Sequence, residues 1–235
     1  MHPGHRRAAM LALIPTFALT AGVGPAGAQP EPPRFELVPR VGVLWPIVDL
    51  GKARDLATLE QIRAELGIGF AAGLAVQYNP AYLPVSFRVV ADYAPFNLTT
   101  TGKWLKCEVL PALPCDEVDL DARYLVLSAD AVIRSGEYER TSFYLVAGLG
   151  IKWYDFAEMV CDAEDTVCVL LDAFARDQVD PMVHLGLGFT FRMGPARLEL
   201  EVADYMSTYR AESEDASGAV QQDFLATLGL RLGVP

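Results

Sequence analysis

His184 is the one histidine beyond residue 5, so an imidazole base in the body of the chain would have to be this one. Ser128 and Thr190 could supply a hydroxyl nucleophile, and Glu199 or Glu201 a carboxylate to orient the ring, which is the chemistry of acyl-ester hydrolysis. No Gly-x-Ser-x-Gly elbow accompanies them. All of these residues also fall on the face of their segments that should line an interior. His184 therefore reads as a hydrogen-bonded interior histidine and the chain as not an enzyme, with a lipid-acting hydrolase as the catalytic alternative.

The four cysteines form two close pairs, Cys107 with Cys115 and Cys161 with Cys168, each inside a long stretch expected to be a loop. No histidine accompanies either pair, and the chain starts like an exported one, so disulfides are expected in preference to zinc. Three connectivities are open, and the two local ones are preferred. Between Asp155 and Asp180 eight carboxylates face only Arg176, but Asp162-Ala-Glu164-Asp165 lacks the spacing of a calcium loop. A solvated acidic surface is expected there, and no metal or other cofactor.

The elements that must position these groups are strands. In Leu66 to Tyr78, apolar Leu66, Ile68, Phe70, Leu74, Val76 and Tyr78 alternate with Gly67, Gly69, Ala71, Gly73 and Gln77. The pattern recurs over Phe35–Trp45, Val85–Tyr93, Arg123–Arg134, Phe143–Tyr154, Met182–Met193, Arg197–Tyr209 and Gln222–Val234. Stretches 46–65, 94–121, 155–181 and 210–221 between segments are long, whereas 79–84, 135–142 and 194–196 are short. Long and short connections at opposite ends are what antiparallel strands threading a membrane produce. The fold expected is all-β, an eight-stranded antiparallel up-and-down transmembrane β-barrel.

The opposite face carries Arg40, Arg88, Arg134, Lys152, Arg192, Arg197 and Arg231 against Glu36, Asp92, Asp130, Glu199, Glu201 and Asp223. Eight strands enclose a space just wide enough for side chains to fill, so these charges are expected to pair across a closed lumen. Trp45, Tyr93, Trp153 and Tyr209 should form an outer aromatic girdle, and Phe35, Tyr78, Phe143 and Phe191 an inner one. Two positions resist the scheme. Asp204 falls on the lipid phase and Pro39 inside a strand, and a bulge is expected at each. Residues 52–66 place Leu56, Leu59, Ile62 and Leu66 near helical spacing, which predicts a short helix.

His5, Arg6 and Arg7 precede an apolar run from Ala8 to Val23 and the small residues Pro25 to Ala28, which reads as a cleaved secretory signal over 1–28 with a barrel over 29–235. The net charge of −11 becomes −13 without Arg6 and Arg7, which disfavours nucleic acid as a partner. Hydrophobic residues reach 52%, yet no later segment has the apolar length of a spanning helix. Strands must carry that apolar surface.

The signal, the strands LGIGFAAGLAVQYNP and FYLVAGLGIKWY, the hairpin HLGLGFTFRMGPARLELEVADY and the closing FLATLGLRLGV resemble small eight-stranded outer-membrane barrels, the outer-membrane protein A-like and porin-like proteins. The likeness covers nearly the whole segment after the signal and departs at the end, Leu232-Gly-Val-Pro235, where such proteins often carry an aromatic residue. It implies the outer membrane of a Gram-negative-type envelope, outer-membrane lipids as surroundings and a monomer, with the partner of the outer loops unspecified. A structural or surface-interaction barrel is the leading expectation. The alternative is a narrow channel or carrier for small or hydrophobic solutes, and a soluble lipocalin-type barrel would need its apolar face turned inward.

Overall fold

Period-two alternation is realised as strands whose two faces meet different surroundings. A computed structural model of the chain describes residues 33–48, 50–54, 61–103, 119–135, 141–158, 175, 177–193, 196–210, 216–218 and 220–234. The strands are β1 (Phe35–Pro46), β2 (Gly51–Arg54), β3 (Gln61–Leu66), β4 (Gly69–Tyr78), β5 (Val85–Lys103) and β6 (Asp119–Ser135). They continue with β7 (Ser142–Phe156), β8 (Gln178–Met193), β9 (Ala196–Thr208), β10 (Ala216–Gly218) and β11 (Val220–Val234).

β1 pairs with β11 on one side and β4 on the other, and β5 pairs with both β4 and β6. The ring β1-β4-β5-β6-β7-β8-β9-β11 therefore closes, every pairing is antiparallel, and no edge is left in the wall. This is the expected eight-stranded up-and-down barrel. β3 continues β4 along β5, while β2 and β10 extend the β1–β11 pair in an unbroken register, from Pro46↔Asp223 to Gly51↔Gly218. The wall thus rises beyond the long-loop end.

The outer face is apolar. Phe70, Leu74, Val89, Leu127, Leu149, Ile151, Leu185, Leu187, Phe189, Leu200 and Leu228 are all exposed, Leu149 at 69%. Among the described residues no helix is long and apolar enough to cross a membrane. An uncovered apolar belt around a closed barrel needs hydrocarbon as its solvent, and a closed antiparallel wall lets the strands satisfy their backbone polar groups on one another there. Tyr93, Leu125, Trp153 and Val179 form one cross-strand row at the upper limit of the belt. Phe35 packs on Tyr78 at 5.1 Å and Phe143 on Phe189 at 5.3 Å toward the short-turn end.

Several expectations are corrected. The helix over 52–66 is absent from the described part, where β2 and β3 form a hairpin instead, because pairing to β5 outweighs a loose apolar spacing. Leu66 points inward and is buried, not lipid-facing. The β3–β5 pairing (Leu66↔Leu98) and the β4–β5 pairing (Ala72↔Tyr93) differ by one residue, so a bulge at Gly67 to Gly69 reverses the phase. The Gly67 amide donates to the Asn97 carbonyl at 2.7 Å in that bulge.

Pro39 causes no bulge, since Leu37↔Leu232 and Arg40↔Gly229 keep one register across it. It points outward and only interrupts the ladder toward β11. Nor is there a bulge at Ala203. Asp204 stays on the outward phase, opposite Leu185 and Phe224, because the registers on both sides of β9 run through unshifted. Tyr209 lies inside the barrel and not in the girdle. Finally, β5 and β6 run well into the 94–121 stretch that was expected to be loop, to Lys103 and from Asp119.

Candidate functional site: the lumen

Inward positions on eight strands converge on an interior with two layers. Toward the short-turn end it is ionic. Arg88, on β5, donates through Nη1 to Glu201 Oε2 at 2.6 Å and through Nη2 to Glu201 Oε1 at 3.0 Å, while its Nε reaches Asp130 Oδ2 at 3.1 Å and its Nη1 Glu199 Oε1 at 3.3 Å. Arg40, on β1, donates from Nε to Asp92 Oδ1 at 2.8 Å, from Nη1 to Glu201 Oε1 at 3.2 Å and from Nη2 to the Tyr205 hydroxyl at 3.1 Å. The Tyr144 hydroxyl donates to Glu201 Oε2 at 2.8 Å. Glu201 is thus held by two guanidiniums and a phenol, which compensates the loss of its hydration.

Arg231 pairs with Glu199 and with Glu36, the latter at 2.9 Å, and Arg134 reaches the same Glu36 oxygen at 3.4 Å. Asn79 donates to Glu36 Oε2 at 3.1 Å, tying the β4–β5 turn into the network. Lys152 pairs with Asp223 and lies over the rings of Tyr124 at 4.6 Å and Tyr154 at 4.9 Å. Of the charges expected in the lumen, Arg40, Arg88, Asp92, Asp130, Lys152, Glu199, Glu201, Asp223 and Arg231 are buried, and Arg134 lies at the inner end. Arg192 is exposed at the rim.

Small residues make room for this network. Gly73 lies directly opposite Asp92, and Gly148 opposite Asp130. A Cβ at either glycine would run into the neighbouring carboxylate.

The other layer was not legible in the segment boundaries. Toward the long-loop end Leu44, Leu66, Phe96, Leu98, Tyr124, Val126, Tyr154, Phe156, Tyr209 and Leu225 pack into one apolar and aromatic cluster. Tyr154 meets Tyr209 edge-on at 5.2 Å and stacks on Phe156 at 6.2 Å. Asp180 also points inward and is buried on β8, where the sequence pattern predicts a loop. The signal was available in the sequence, since Phe96 and Leu98 continue the inward phase of Arg88 and Asp92.

The suggested hydrolytic set does not assemble. His184 is fully buried, its Nδ1 lies 3.2 Å from Asp130 Oδ1, and its ring stacks on Tyr205 at 4.3 Å, so Asp130 and not Glu199 or Glu201 orients it. The Thr190 hydroxyl is engaged with Ser142 at 2.6 Å. Ser128 is buried on β6, beyond reach of a lipid ester. Among the described residues no group of three or more His, Cys, Asp or Glu could hold a metal. Cys107, Cys115, Cys161 and Cys168, and the signal over 1–28, lie outside the described residues.

Two depressions mark the outer face. One of about 550 Å³ lies where the Gly67–Gly69 bulge leaves β4 and β5 unpaired, between Phe70, Tyr93 and Pro95 and the ion pair of Arg123 with Asp155. Another of about 770 Å³ lies over Ala129, Ala131 and Ala147, between Phe87 and Leu149.

No protein-family model matches the chain, and no curated protein matches it. Solved structures do. OprG, an outer membrane protein from Pseudomonas aeruginosa, is 16% identical with a TM-score of 0.51, covering 86% of this chain and 98% of its own. Neisserial surface protein A is 12% identical with a TM-score of 0.47, covering 85% and 97%. Ail of Yersinia pestis, solved with the heparin analogue sucrose octasulfate, is 15% identical with a TM-score of 0.38, covering 85% and 99%. At such identity the likeness to OprG is one of fold, and it agrees with the closed ring and the apolar belt. The chain is a small eight-stranded β-barrel of the outer-membrane type.

Proposed function

We propose that this barrel serves in the outer membrane as a non-conducting wall that presents its long loops to the surroundings, a structural or surface-interaction protein. The observation that carries the reading is the Arg40, Arg88, Asp92 and Glu201 cluster, which spans the lumen from β1 and β5 to β9. Buried charges so compensated hold opposite walls together and leave an ion no hydrated path. The secretory signal, loops stapled by local disulfides, a lipid surround and a monomeric state belong to the same reading. Planar-bilayer recording tests it. The chain should give no steady open-state conductance, and a stable large conductance from the pure protein would reject the reading.

A second reading, a carrier for hydrophobic solutes, is favoured by the apolar and aromatic outer half of the interior. It would show as faster uptake of an apolar fluorophore into vesicles containing the protein, without ionic current.

A further inference from the structure

We propose that the cleft on the outer face beside β4, β5 and β6 is a site for a zwitterionic lipid headgroup, its phosphate on Arg123, its ammonium on Asp121 and Asp155, and its first acyl carbons along Phe70 and Ile68. The outward face of β5, β6 and β7 changes character abruptly here. Tyr93, Leu125 and Trp153 form the last apolar row, Pro95, Arg123 and Asp155 are directly opposed in the next outward row, and Asn97 lies opposite Asp121 in the one after. Two residues along a strand rise about 7 Å, and each headgroup layer is about 5–7 Å thick. Arg123 and Asp155 therefore stand at the level of lipid phosphate and amine groups.

Arg123 Nε donates to Asp155 Oδ2 at 2.5 Å, and the side chain also lies against Tyr93, yet it remains 58% exposed. A guanidinium has five N–H donors, so these contacts leave it able to reach a phosphate as well. Asp121 is exposed two residues away on the same face of β6. The rim thus alternates negative, positive, negative. A bare anion would meet two carboxylates and a bare cation would meet the guanidinium, whereas a headgroup carrying both charges matches all three. Beside the rim the cleft is apolar. Its volume of about 550 Å³ is walled by Phe70 and Ile68, 78% and 68% exposed, and it reaches Phe96 and Phe156 of the lumenal cluster. The space arises where the β4–β5 ladder is interrupted between Ala72↔Tyr93 and Leu66↔Leu98, a stretch in which Pro95 offers no N–H. The cleft is continuous with the apolar belt, so its occupant is a lipid already at the belt's upper edge and not a soluble ion. The site requires the membrane setting proposed above but not a closed lumen, so a conducting barrel would leave it standing.

NMR titration of the refolded full chain in uncharged maltoside micelles tests the site, with the Arg123 Nε–H and the Ile68 methyl as reporters. Dihexanoyl phosphatidylethanolamine should shift both saturably, and dihexanoyl phosphatidylglycerol, which lacks the ammonium, should bind about tenfold more weakly, as loss of one charge-assisted contact implies. R123Q should weaken both lipids. D121N should weaken phosphatidylethanolamine and leave phosphatidylglycerol unchanged or tighter, a reversal that a merely structural role would not produce. Both positions are exposed, and heat-shifted migration on gels verifies that the variants fold. Equal affinity of the wild type for the two lipids, or tighter binding of phosphatidylglycerol, would overturn the proposal. So would an affinity for phosphatidylethanolamine that R123Q leaves unchanged.

Discussion

Arg88 and Glu201 face each other across the lumen as a two-bonded fork, Nη1 to Oε2 at 2.6 Å and Nη2 to Oε1 at 3.0 Å, with both side chains out of contact with solvent. Removing the guanidinium alone leaves a buried carboxylate short of its compensation. Arg88→Met should lower unfolding stability in lipid vesicles by about 3–5 kcal/mol. Arg88→Met combined with Glu201→Met should cost clearly less than the sum of the two single changes, because neither charge is then stranded. Urea titration followed by the shift between folded and unfolded bands on gels reads both.

Gly148 is opposite Asp130, which receives Arg88 and lies against His184. A branched side chain at 148 would push the carboxylate from both partners. Gly148→Val should destabilise the barrel by about 1–3 kcal/mol, the range for overpacking. The same change at Gly42, opposite Thr227 and away from an acidic partner, also crowds the wall and serves as the comparison. The Gly148 variant alone should lose the interaction of His184 with Asp130, read as a changed chemical shift of the imidazole Nδ1 by NMR.

Asp204 remains on the lipid-facing phase between Leu185 and Phe224, and its Oδ1 is buried without a hydrogen-bond partner. The neighbouring row reaches Trp45 through Phe224, which puts it near the outer boundary. Asp204→Leu should therefore raise stability by about 1 kcal/mol, less than a midplane charge would cost. Unfolding in vesicles that shows a loss of stability would mean Asp204 has an unrecognised partner.

Most of the barrel was legible because its signal is a two-residue period with two different solvents. Every outward residue from Phe143 to Trp153, and every inward one, follows from that rule alone. What failed were places where the period slips or persists without a local cue. At Gly67 to Gly69 a single inserted residue turned Leu66 inward, and such bulges have no unique spelling. Pro39 and Asp204 invited bulges that continuous pairing on the flanking strands overrides. The lumenal pairs were foreseen as residue types on one face, but the partner of each charge depends on stagger between strands. Arg88 and Glu201 are 113 positions apart in sequence, and no local pattern joins them. The aromatic layer lies beyond the strand ends that alternation predicts at Tyr93 and Arg123, because polar residues begin there on the outer face above the girdle while the inward phase continues apolar.

Paramagnetic relaxation measured by NMR in nanodiscs tests the inside-out arrangement most directly. A nitroxide on the lipid acyl chains should broaden the methyl signals of Leu74, Leu149 and Leu187 and spare those of Val38 and Val90, which are buried in the lumen. Broadening of Val38 and Val90 with sparing of Leu74 and Leu149 would contradict it.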